Sequence, residues 1–108
     1  MPEYNYRVIK MIEERYSKQV QYFNGIPDLT DVDSDRHYDL YMELSGLMRT
    51  AFGRAPEFKP SGNRVALLPS ADLGNAYRML KQNLTPQERA RYEEIQTELY
   101  KLTDKYGA

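Results

Sequence analysis

The chain has 108 residues, a formal net charge of -1, 29% charged residues, one His and no Cys. That length suits one domain with one modest core, and the missing cysteines exclude disulfides, thiolate metal sites and a cysteine nucleophile. No apolar run approaches the ~20 residues of a membrane span, and MPEYNYRVIK lacks the basic-then-apolar order of a signal peptide, so a cytoplasmic protein is expected.

Leu, Ile, Val and Phe together number only 22, but ten Tyr and five Met supply further apolar bulk. With so little net charge, that composition predicts a folded domain with a partly aromatic core rather than a disordered chain.

In chain order, the first predicted helix covers Pro2 to about Phe23. Its stripe is Val8, Ile9, Ile12, Tyr16, Val20 and Phe23, at three- and four-residue steps. Asn24-Gly25 is the expected stop, with Gly in a left-handed cap. A second helix is expected from about Ser34 to Phe52, buried through Leu40, Tyr41, Leu44, Leu47, Met48, Ala51 and Phe52, with Gly53 as its stop.

GRAPEFKPSGNRVALLPS follows, and its prolines and glycines break any helical period. Glu57 to Lys59 and Arg64 to Leu68 flank a turn there, which predicts a short β-hairpin or strand. The third helix is expected from Ser70 to Gln82, buried through Leu73, Ala76, Tyr77 and Leu80. Gly74 within it suggests a close backbone approach. The fourth begins at Thr85-Pro86-Gln87-Glu88, where Thr caps, Pro occupies N1 and Glu closes a capping box. Its stripe is Tyr92, Ile95, Leu99, Leu102 and Tyr106. The expected fold is a mainly α, single four-helix domain over residues 1–108, with the hairpin between its second and third helices.

Asp31, Asp33 and Asp35 alternate like the opening of an EF-hand loop. The loop fails further on, because Arg36 stands where its Gly belongs and Met42 where its bidentate Glu belongs. Helix capping by Asp33 or Ser34, with Asp35 in the first turn against the helix dipole, accounts for the same residues. No metal and no cofactor is expected.

His37 has Asp33 and Tyr41 one turn away on either side, the arrangement a general base needs. A lone helical His is more commonly packed or solvated, and no catalytic signature motif accompanies it, so an enzyme is not expected. Lys59 to Arg64 has the composition of an anion-binding turn, with Lys59, Asn63 and Arg64 as contacts, and equally that of a solvated hairpin tip.

Charge is segregated along the chain. Six acidic residues and one Arg fall between Asp28 and Glu43, whereas residues 49–64 and 78–91 each hold four basic residues and one acidic. Such blocks steer charged partners or pair with one another inside the molecule. Tyr4, Tyr6, Tyr22, Tyr38 and Tyr100 fall off the apolar stripes, and exposed Tyr and Met are enriched at protein interfaces.

The first functional expectation is a non-catalytic protein-binding module, a small inhibitor or adaptor of phage or mobile-element type. Tyr38, Arg49, Arg54, Lys59, Asn63, Arg64 and Arg78 are the candidate binding residues. The second is a nucleic-acid accessory protein using the basic segments 49–64 and 78–91, although a sequence pI of about 5.8 is far from a basic footprint. The third is a small nucleotide- or phosphate-ligand-binding protein. A homodimer is also expected, through the stripe of the fourth helix or an unpaired strand edge.

Overall fold

A computed structural model describes residues 3–56 and 70–107 as four helices. They are α1 (Glu3–Asn24), α2 (Asp31–Arg54), α3 (Ser70–Gln82) and α4 (Pro86–Lys105). The mainly α, four-helix expectation holds. There is no strand among the described residues, and the segment expected to form a β-hairpin lies outside them, as do Lys59, Asn63 and Arg64. No helix among the described residues is long and apolar enough to cross a membrane.

The helix boundaries have local causes, and several differ from those expected. α2 begins at Asp31, three residues before the expected start, because Thr30 is its N-cap. The Thr30 hydroxyl accepts from the Asp33 amide at 3.2 Å. Asp33 and Ser34 are therefore inside the helix, and Asp31 and Asp33 face the positive end of the dipole in its first turn.

At its other end α2 runs through Gly53. It stops where Pro56 drives Ala55 into extended backbone, at φ -73 and ψ 148. Gly25 does not adopt a positive φ either. The positive φ values among the described residues belong to Asp28 and Gly107. α1 instead ends in tight turn bonds, Gly25 N–H to the Tyr22 carbonyl and Ile26 N–H to that of Phe23, ahead of Pro27. Among the described residues, a Cβ on Gly74 would meet nothing within 4 Å, so none of their backbone packs close there.

The start of α4 is as expected. The Thr85 hydroxyl accepts from the Glu88 amide at 3.2 Å, and the Glu88 carboxylate accepts from the Thr85 amide at 2.8 Å.

α2 is the central helix and packs against the other three. Its Leu40, Leu44, Met48, Ala51 and Phe52 meet Val8, Ile9, Ile12 and Phe23 of α1 and Tyr92, Ile95, Leu99 and Leu102 of α4 in one core, which Ala76 and Leu80 of α3 complete. Burying each of the large apolar side chains contributes about 1.5–3 kcal/mol before entropy is counted.

α1 and α2 run antiparallel. Asn5 Nδ2 donates to the Pro56 carbonyl at 3.0 Å at one end, and the Ser34 hydroxyl donates to Asn24 at 2.8 Å at the other. α2 and α4 are antiparallel too, joined by Arg54–Glu88, Arg91–Glu43, Arg36–Glu98 and Lys105–Asp33 ion pairs in descending order along α2.

Candidate functional site

On α2, Tyr38, Met42, Ser45 and Arg49 follow one another at steps of four, three and four, which places them on one stripe. On α1, Glu13, Tyr16, Ser17 and Val20 form the matching stripe. Between the antiparallel helices, these two stripes wall a groove of about 250 Å3, lined by Glu13, Tyr16, Ser17, Val20, Tyr38, Tyr41, Met42 and Ser45. Tyr38 and Met42 stand at its rim, 51% and 55% exposed.

One end of the groove is pinned by ion pairing. Arg49 donates from Nε and a terminal nitrogen to the two Glu13 oxygens, at 2.6 Å each, and the Ser45 hydroxyl also donates to Glu13. The Arg49 guanidinium holds the Glu13 carboxyl below its usual range, against a smaller opposing effect of burial.

The floor is aromatic. The Tyr16 and Tyr41 ring centroids lie 5.2 Å apart with planes tilted by 50°. The Tyr16 hydroxyl is buried with no hydrogen-bond partner within 3.5 Å among the described residues, the Tyr92 hydroxyl being its nearby polar neighbour. Burial raises its pKa, with the nearby Tyr92, Tyr77 and Tyr41 hydroxyls adding to the shift. Burial likewise pushes Tyr92 up to about 12. These hydroxyls stay neutral at physiological pH, so the floor presents ring faces rather than charge.

His37 lies under the groove, not in it. It is 2% exposed and stacks on Phe23, with ring centroids 3.9 Å apart and planes within 6°. Tyr41 meets it edge-on at 5.0 Å. Its Nδ1 has no hydrogen-bond partner among the described residues, and burial lowers its pKa to about 4. Neither expected orienting group acts on it. Asp33 accepts instead from Lys105 at 2.8 Å and from the Tyr106 hydroxyl, which hold its carboxyl below the usual range. His37 is a neutral aromatic packing residue of the core.

The same geometry bears on calcium. In a helix Asp33 projects almost opposite Asp31 and Asp35, and it is committed to α4. Among the described residues, no group of three His, Cys, Asp or Glu side chains is placed to hold a metal ion.

Of the expected binding residues, the structure brings Tyr38 and Arg49 to the groove. Arg54 is elsewhere, in a fork with Glu88 and the Asn83 carbonyl. Arg78 is exposed on α3, 3.4 Å from Asn75. Arg91, from the second basic segment, is paired with Glu43 and Glu94. Much of the segregated charge is thus neutralised between helices.

Sequence reasoning placed Tyr16, Val20 and Tyr41 in the core and passed over Glu13, Ser17, Met42 and Ser45. The available signal was the second stripe on each helix, lying beside the core stripe and offset from it by one residue. No known family model, curated protein or solved structure matches the chain.

Proposed function

We propose that this chain is a non-catalytic protein-binding module, acting as a small inhibitor or adaptor through the α1–α2 groove. One observation carries the reading. Two large, adaptable side chains, Tyr38 and Met42, are left half-exposed at the rim of an aromatic groove that neither α3 nor α4 covers. Tyr and Met are the side chains that bury most area on binding at low entropic cost or with most adaptability. The groove's polar groups are the hydroxyls of three tyrosines and two serines and a carboxylate already engaged by Arg49. That set suits insertion of apolar side chains rather than proton transfer.

The test replaces Tyr38 with a photo-crosslinking residue in the cells that normally express the protein, and replaces Tyr100 in parallel as an exposed control on α4. The expected result is a protein crosslinked from position 38 and not from position 100, whose purified form binds the wild-type chain and loses most of its affinity for Y38A/M42A. Equal crosslinking from both positions, or unchanged affinity of the variant, refutes the reading.

A further inference from the structure

The face that continues outward from the groove identifies what kind of partner fits it. Asp31, Asp35 and Asp39 recur every fourth residue, so they form one column on α2 at steps of about 6 Å. All three are exposed, and none has an ion-pair partner among the described residues. The rest of the acidic segment is different. Asp33 is bound by Lys105 and Glu43 by Arg91, while the segment's one cation, Arg36, is bound by Glu98. Internal pairing therefore removes charge from the α4 side of α2, and although Asp35 and Asp39 share a shallow depression with Arg36 and Arg91, those cations are already bound by Glu98, Glu43 and Glu94, which leaves the column net acidic.

Exposed apolar side chains flank that column on both sides. Tyr38 and Met42 separate it from the groove, and Val32, 75% exposed, stands on its far side. Gly46 extends the face without a side chain and has open space above it.

We propose that this face docks a lysine- and arginine-rich surface of another protein, whose apolar side chains enter the α1–α2 groove while its cations align with Asp31, Asp35 and Asp39. The inference rests on the protein-binding reading above and adds the chemistry of the partner. Charge complementarity decides among occupants. Nucleic acid would bring phosphates against the aspartates. A second copy docked by a two-fold axis would set one aspartate column against another, and like charges facing each other across an interface are costly. A basic protein surface satisfies the column and the apolar rim together, and its approach is accelerated by the field of the column.

The experiment is an amide chemical-shift titration of the full chain with two helix-forming peptides. One carries Lys at four-residue intervals beside a Leu stripe, and the other has every Lys replaced by Gln. The Lys peptide is expected to shift amides of residues 13–20 and 31–46, and to bind about tenfold more tightly than the Gln peptide, as two or three exposed charge pairs allow. D35N/D39N should abolish that preference, Y38A/M42A should weaken both peptides, and E93Q on α4 should change nothing.

Equal binding of the two peptides, insensitive to D35N/D39N but weakened by Y38A/M42A, overturns the basic partner and leaves the groove reading standing. Indifference to both double variants overturns both. A DNA duplex shifting the same amides, or concentration-dependent self-association that Y38A/M42A removes, also overturns the proposal. Asp31 is left intact in these variants because it lies in the first turn of α2, where its loss would weaken the helix.

Discussion

His37 shows how much the surroundings of one side chain decide. Its burial between Phe23 and Tyr41 lowers its pKa to about 4, below the value near 6.5 it regains on unfolding. The unfolded chain therefore takes up a proton that the folded chain refuses. Stability is complete above pH ~6.5 and falls as the pH drops toward 4, by about 2 kcal/mol at pH 5. Glu88 acts lower, because Arg54 first and the Thr85 cap next hold it down to about 2, so its contribution is lost progressively as the pH falls from about 4.5 through 2. Urea unfolding of H37F at pH 7 and pH 5 separates the two. The difference in midpoint between these pH values should be present in the wild type and nearly absent in the variant. Tyr16 offers the converse case. Its buried hydroxyl has no hydrogen-bond partner within reach among the described residues, so Y16F should leave stability unchanged or raise it by about 1 kcal/mol. A loss of more than that in the same unfolding assay would mean that the hydroxyl is satisfied in solution.

At the scale of elements, the reliable signals were those in which neighbouring residues satisfy one another's backbone groups. Thr85-Pro86-Gln87-Glu88 is such a signal, and its reciprocal bonds are made as the spacing implied. T85A should cost about 1 kcal/mol, read as a lower melting temperature with peptide binding at α2 unchanged. T30A should cost a similar amount, and its loss falls on α2, whose cap was misplaced at Asp33 or Ser34. The displacement has a physical cause. Thr, Asp and Ser all cap helices well, so TDVDSD offers five acceptable starts, and what selects Thr30 is the pull of Asp33 inward to Lys105 and Tyr106. Glycine misled for a related reason. Gly25 and Gly53 are permissive rather than directive, and the helices were ended by what Pro27 and Pro56 forbid. Because Asp33 faces away from Asp31 and Asp35, millimolar calcium should leave the melting temperature unmoved. A shift of several degrees absent with magnesium would require the start of α2 to unwind.

For the whole molecule, the central position of α2 governs what remains for partners. The α4 stripe resembled a coiled-coil seam available to a second chain. In the structure Ile95, Leu99 and Leu102 are buried in the monomer against α2, because Arg54, Glu43, Arg36 and Asp33 fix α4 along it. L99D should therefore unfold the domain, at a cost of about 4 kcal/mol or more, and circular dichroism should show lost helicity. A folded monomer produced by dissociation of a dimer would contradict this packing. The same arrangement makes the surface asymmetric. One flank of α2 is neutralised by α4, and the other keeps its aspartates and the tyrosine-rich groove.

Four helices, the greater part of their apolar stripes and the α4 cap were legible in the residues, because helical period and local bonding are properties of neighbours along the chain. Tyr38 stood out for the same reason, as a large ring off its helix's stripe. The groove was not legible, since it needs stripes on two different helices to face each other. The free charge was not legible either. Six acids in one segment look alike in the sequence. Only the antiparallel placement of α4 decides that Asp33 and Glu43 are paired while Asp31, Asp35 and Asp39 are left to solvent or to a partner, because which carboxylate meets a cation depends on the distance between helices and not on the distance along the chain.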